Sequence, residues 1–281
     1  MKVDLSGAAD LHCHFGPDAH RARSVSALEA ARDAADAGHR AVVLKSHDYP
    51  TPALAAMVGE VVQGVNVFGG ICCDREVGGL NPAAVEAALL LGAKVVWLPT
   101  LSSRQDFESG VAAKLGIPGP GLSVCGQGGE LLAHTIEIME LVKQHGAILA
   151  TGHVSAAEHL AVVKEFARKG TVLVTHAMED LAGPNLTVGQ CVELADLGAF
   201  IELCAMTCIG ALATKKVADL AECARSVGFD RCTLATDYGQ AANPRPAVGL
   251  QGFADALFEE GFDEDSIRRM ACHNPCALLG L

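Results

Sequence analysis

The sequence predicts an α/β fold, a single (β/α)8 barrel of the TIM type spanning residues 1–281 as one domain. Three observations carry that expectation. Eight short apolar runs alternate with amphipathic stretches, a glycine follows most of those stretches, and polar residues suited to metal binding fall at the ends of the runs. Alternation of this kind produces parallel strands joined by helical crossovers, and eight such strands can close into a barrel.

The apolar runs at 8–14, 41–47, 65–72, 94–99, 147–153, 172–176, 200–205 and 232–237 are read as the strands. Helical patterns lie at 25–37, 82–91, 131–145, 156–169, 187–197 and 212–227. Gly38, Gly92, Gly146, Gly170, Gly198 and Gly228 each follow one of these patterns, where a left-handed cap is often needed. A doubly wound open sheet is the structural competitor. Its dinucleotide fingerprint is missing, because Phe15-Gly16-Pro17-Asp18 lacks the GxGxxG spacing. The stretch 100–130 breaks the rhythm: it is too rich in glycine and proline for a helix interior and reads as a long loop after strand four. Such a loop would overhang the C-terminal mouth of the barrel, either as an active-site lid or as a surface excursion.

Composition narrows the partners. Half of the residues are hydrophobic and the formal charge is −12, which argues against a nucleic-acid face and against an anionic membrane surface. No apolar run reaches the ~18 residues needed to span a bilayer. The first residues, MKVDLSGAADLHCHF, do not have the form of a signal peptide. The 11 cysteines are scattered through apolar segments, which fits reduced thiols and a cytoplasmic protein better than a disulfide framework. The expected partner is a small-molecule substrate, with a homo-oligomer possible.

The chemistry sits at the strand ends. In Asp10-Leu11-His12-Cys13-His14 the two histidines have the i, i+2 spacing that puts both on one face of a strand. His153, His176 and Asp237 each follow directly on a later apolar run. Histidine makes up only 11 of 281 residues, so repeated placement at strand ends is not an effect of composition. In a barrel those ends converge on one face, the face where active sites of this fold lie. Lys45 and His47 close the second run with the same spacing. A lysine there can be carboxylated and bridge two metals, bind an anion, form an imine, or merely snorkel at the rim. His47 can bind substrate or assist a metal.

His12-x-His14, then His153, His176 and Asp237, at the ends of strands one, five, six and eight, resembles the amidohydrolase superfamily. The C-terminal Asn274-Pro275-Cys276-Ala277-Leu278-Leu279-Gly280-Leu281 resembles the NPAxLLGL ending of many members, in which a last helix packs under the barrel. The Leu44-Lys45-Ser46-His47 and Gly78-Gly79-Leu80-Asn81-Pro82 segments are similar to a branch of predicted metal-dependent hydrolases within it. The resemblance implies that His12, His14 and Asp237 ligate a buried metal and that His153 and His176 hold a second, more exposed one. Many members bridge the two ions with a carboxylated lysine ending strand four. Here the only lysine of that strand, Lys94, is at the wrong end, which makes Lys45 the preferred substitute and Glu76 a second candidate.

What the set implies is a metal-dependent hydrolase, with one or two divalent ions per chain, zinc first and manganese or iron as alternatives. Asp237 would act as general acid and base on an amide, cyclic amide or lactone. Arg75 and Arg104 are candidate substrate contacts alongside His47, and Arg21, Arg23 and Arg245 also lie in or near strand-end loops. His20, His39, His134, His145, His159 and His273 are read as structural. The rivals are a mononuclear decarboxylase of the same superfamily, an imine-forming aldolase using Lys45, and a metal-binding barrel that has lost turnover.

Overall fold

A computed structural model describes residues 2–281. Eight parallel strands run in the order of the sequence: β1 (Ala9–His14), β2 (Ala41–Lys45), β3 (Asn66–Cys72), β4 (Val95–Trp97), β5 (Ile148–Ala150), β6 (Thr171–Val174), β7 (Phe200–Cys204) and β8 (Cys232–Ala235). The ring closes where the chain leaves β8. Asp237 N–H donates to His12 O at 2.9 Å, and His14 N–H donates to Tyr238 O at 2.8 Å. Gly239, at φ 140°, allows this approach, since a Cβ there would lie 2.2 Å from His14 O.

Most strands end sooner than their apolar runs. β2 stops at Lys45, β5 at Ala150, β6 at Val174 and β8 at Ala235, so His47, His153, His176 and Asp237 stand on the first residues of the following loops. The ladder gives out there because the chain turns to bring side chains across the barrel mouth. His176 (φ 25°) and Asp237 (φ 52°) turn with positive φ, a conformation that costs ~1–3 kcal/mol and persists where surroundings enforce it.

The barrel interior follows the strand period. Ala9 and Leu11, Ala41 and Val43, Val95 and Trp97, and Ile148 and Ala150 pack inward together with Cys276 and Leu279. Those last two belong to the terminal helix Asn274–Leu279, which plugs the bottom of the barrel; Asn274 Nδ2 donates to Phe229 O and Cys232 O, both at 2.7 Å. Gly70 makes room for the one tryptophan, because a Cβ there would lie 2.5 Å from the Trp97 ring. The helices pack outside on the opposite faces of the strands, with Val96, Leu98, Leu149, Val172 and Val174 in that outer core. The first of them, Ala27–Asp36, opens with a capping box of Ser26 and Glu29.

Segment 100–130 is more ordered than its composition suggests. It carries two short helices, Arg104–Glu108 and Val111–Lys114, and places Leu101 and Val111 at the barrel mouth. All eleven cysteines are free thiols. Among the described residues no helix is long and apolar enough to cross a membrane.

Candidate metal centre

The site begins with an irregularity in β1. Its pairing with β2 slips between Asp10 and Cys13, a β-bulge that turns Leu11 and His12 to the same, inner side. The bulge frees the His12 N–H, which donates to Asp10 Oδ1 at 3.0 Å. Asp10 also receives Thr236 N–H at 3.1 Å and Thr236 Oγ1–H at 2.5 Å, tying the end of β8 to β1. Regular alternation then resumes, and His14 faces inward beside His12, their ring centroids 5.3 Å apart.

Asp237 completes the cluster from the other side of the closure. Its Oδ1 lies 3.1 Å from His12 Nε2 and 3.1 Å from His14 Nε2. These three atoms lie within the span that one metal ion can bridge. His12 Nδ1 donates to Glu202 Oε2 at 2.9 Å, which commits that nitrogen and turns Nε2 toward the cluster. A carboxylate behind a histidine in this way is the usual outer support of a metal ligand. The same Glu202 oxygen accepts His176 N–H at 3.1 Å, so one buried carboxylate orients two strand ends.

Lys45, fully buried, aims Nζ at His12 Nε2 from 2.9 Å and lies 5.5 Å from the Trp97 ring centroid. His153 and His176 lie near one another with tilted rings, centroids 4.7 Å apart, and His176 is 5.8 Å from His12. His153 Nδ1 is 2.6 Å from Asp106 Oδ2, a second histidine–carboxylate pair. His47 packs on His14 at 4.9 Å between centroids, with Nδ1 2.7 Å from Thr100 Oγ1 and 3.3 Å from Asp74 Oδ2. Asp74 is held in turn by Thr100 N–H at 2.8 Å and Ser102 N–H at 3.0 Å.

The electrostatics favour ligation. Burial pushes His14 and His176 well below the ordinary histidine range, with Arg23 adding to the effect at His14 and His153 at His176. Burial and then Lys45 do the same to His47. Neutral imidazole is the metal-binding form. Burial alone would raise Asp237, but His12 and His14 hold its carboxyl well below the usual carboxylate range. Burial also works against charge on His12, yet Asp237 and Glu202 lift it to about 9. With only protein groups around it, the cluster thus recruits a proton to the place where three donors converge. A divalent cation satisfies the same demand, and the donor set fits one. The unpartnered buried Nδ1 atoms of His14 and His176 leave room for that rearrangement.

His14, Lys45, His47, His153, His176 and Asp237 all line one cavity of about 50 Å³ at the C-terminal end of the strands, with His12 directly beneath. The structure does not bring Arg75 and Arg104 to it. Both are exposed, and the Arg75 guanidinium is committed to Pro118 O. The positions are taken by Arg21 and Arg23, from the loop after β1, and Arg245 instead pairs with Asp33 on the outer surface. His20, read as structural, stands at the cavity wall with Nε2 3.4 Å from Asp48 Oδ1. Glu76 is exposed and, among the described residues, pairs only with His20, at 3.8 Å, away from the histidine cluster. His159 does have a structural partner, Ser155 O at 3.0 Å. Glu202, Asp106 and Asp74 escaped the sequence reading. Glu202 had one signal, an acidic residue at an inward position of an otherwise apolar strand.

Fold and site together define a (β/α)8 barrel with a histidine–aspartate cluster at its C-terminal mouth. The chain belongs to the Family of unknown function (DUF6282), whose model matches residues 7–202. No functionally curated protein matches it in sequence. Among solved structures it resembles an amidohydrolase from Pseudomonas aeruginosa, with a TM-score of 0.63 and 14% identity over 98% of this chain and 95% of that one. It also resembles the metallopeptidase dipeptidase AC, with a TM-score of 0.64 and 14% identity over 98% of each chain. A third is 2,6-dihydroxybenzoate decarboxylase from Rhizobium, with a TM-score of 0.60 and 11% identity over 98% of this chain and 99% of that one. At such identities the likeness is one of fold, and the fold is the one that the amidohydrolase resemblance implied.

Proposed function

We propose that the chain is a metal-dependent hydrolase that cleaves an amide, cyclic amide or lactone of a small molecule. The observation that carries this reading is the convergence of Asp237 Oδ1, at 3.1 Å, on both His12 Nε2 and His14 Nε2. These three residues would hold one divalent ion, zinc before manganese or iron. Lys45, His153 and His176 would complete that site or form a second one beside it. When bound, such an ion would supply Lewis acidity and acidify water at neutral pH.

The remaining steps belong to the chain itself. Asp237, ionised and lining the cavity, takes the proton of the attacking water and returns it to the leaving group. His47, steadied through Nδ1 by Thr100 and Asp74, offers a hydrogen bond to the substrate. Asp237, His14 and His47 are all buried, which limits solvent contact at the reacting groups. A dipeptidase and a decarboxylase on the same fold support an enzyme here rather than a silent barrel.

The test is metal content by elemental analysis on metal-replete protein and its His12→Ala variant, followed by turnover of a panel of dipeptides, cyclic amides and lactones. The expected result is one or two ions per chain, lost in the variant, and hydrolysis that falls at least ~100-fold in Asp237→Asn. Carbon dioxide release from hydroxybenzoates without hydrolysis would replace this reading by the decarboxylase. Metal-replete protein that binds no ion would overturn both.

A further inference from the structure

The chain carries a formal charge of −12, yet its cavity is lined by Arg21, Arg23 and Lys45 against the single carboxylate of Asp237. Cationic side chains that line a pocket can select for an anion even in an acidic protein, because the local field rather than the net charge meets a small ligand. Arg23 is the better defined of the two arginines. Its side chain is 4% exposed, and Nε donates to Asp18 Oδ2 at 2.9 Å while Nη2 donates to the same oxygen. Nη1 finds no acceptor among the described residues.

The loop that presents Arg23 is locked in place. Asp18 Oδ1 accepts the N–H groups of His20 and Arg21, both at 2.8 Å, so one carboxylate fixes the turn and the guanidinium together. Gly16 N–H donates to Val25 O and Ser24 N–H to Gly239 O, each at 2.7 Å, which pins the loop across the end of β8 beside Asp237. Arg21 sits at the rim, exposed, and makes no ion pair among the described residues. Arg23 lines the same cavity as His14 and Asp237.

We propose that the cavity takes a small substrate bearing an oxyanion, a carboxylate or a phosphate, gripped by Arg23 through Nη1 and capped from the rim by Arg21. The planar guanidinium, already oriented by Asp18, spends little ordering entropy on an oxyanion oxygen. This inference rests on the reading of the cavity as a substrate site, but its test involves no turnover.

Isothermal titration calorimetry with succinate, inorganic phosphate and uncharged succinamide, on metal-free and zinc-loaded protein, decides it. Succinate or phosphate should bind and succinamide should not. Whichever anion binds more tightly identifies the source of the oxyanion. Affinity should fall about tenfold or more in Arg23→Gln, nearly as far in Arg23→Lys, which keeps the charge but loses the fork, and several-fold in Arg21→Gln. The Asp18→Asn/Arg23→Gln pair removes both halves of the buried ion pair and serves if Arg23→Gln alone fails to fold. Anion binding within twofold of wild type in both Arg21→Gln and the folded Arg23 variant overturns the proposal, as does equal binding of succinamide. Arginine-dependent anion binding by a protein that takes up no metal would leave this inference standing while the hydrolase reading falls.

Discussion

Lys45 points its Nζ at His12 Nε2 from 2.9 Å, so the amine stands at the same nitrogen that a metal would use. As an amine, Lys45 competes with the ion. As a carbamate formed with carbon dioxide, it would offer oxygen donors in its place. The second state predicts that zinc affinity of wild-type protein, measured by titration against a chromophoric chelator, tightens when bicarbonate is added. Lys45→Met should bind zinc identically with and without bicarbonate. Wild-type affinity indifferent to bicarbonate would make Lys45 a competitor and exclude it from the ligand set.

Glu202 is the residue whose loss should be felt most at the metal without touching it. Its Oε2 accepts from both His12 Nδ1 and the His176 N–H, at 2.9 and 3.1 Å. Glu202→Gln preserves the volume and one acceptor but removes the charge that fixes the His12 tautomer. The expected outcome is a metal affinity about 10–100-fold weaker with an unchanged circular dichroism spectrum. Wild-type affinity in that variant would show that His12 is positioned by the β1 bulge alone.

The contrast between His12 and Glu202 explains what the sequence made legible. The strands were visible because parallel strands buried on both faces are continuous apolar runs. His12, His14, Lys45, His47, His153, His176 and Asp237 were visible because each ends such a run or stands two residues before its end, and all seven gather at one mouth. Their outer partners were not. Asp106 comes from a glycine- and proline-rich segment without periodicity, and its value depends on a contact 47 residues away. Arg75 and Arg104 were drawn from the right kind of loop, yet loop backbone carries no period that would say which arginine turns inward. The bulge in β1 is equally silent in sequence, because it changes register without changing composition.

The buried histidines give the metal-free protein a defined pH dependence. Burial lowers His14, His47 and His176 well below 6.5, and His39 and His159 to about 4. Below pH ~6.5 the unfolded chain therefore binds protons that the folded chain refuses, and stability falls as pH falls. Each group contributes up to ~1.36 kcal/mol per pH unit until its folded-state value is reached. His12, lifted to about 9, works in the other direction. Its contribution is complete below ~6.5 and is lost only as pH rises through about 9, so it does not offset the acid limb. Thermal melts in chelator should show the midpoint dropping steadily from pH 7 to pH 5. A flat profile over that window would mean that these imidazoles are solvated in the metal-free protein.

Asp106 joins three segments of the mouth, and its variants separate a structural from a positioning role. Oδ2 lies 2.6 Å from His153 Nδ1, while Oδ1 accepts Gly183 N–H at 2.8 Å from the loop after β6. Asp106→Ala strands both partners in a buried place, at a cost of ~1–3 kcal/mol. For a chain of this size that corresponds to a fall in melting temperature of several degrees, at about 2–4 °C per kcal/mol. Asp106→Asn keeps one acceptor, for Gly183 N–H, and turns its amide N–H toward His153 Nδ1, which can accept it in the Nε2–H tautomer, so it should melt above Asp106→Ala. If His153 is a ligand, the asparagine variant still loses metal affinity, because a neutral amide no longer strengthens the imidazole as a donor. Retention of full metal binding in Asp106→Asn, beside a destabilised Asp106→Ala, would reduce this pair to a brace for the loops and remove His153 from the metal site.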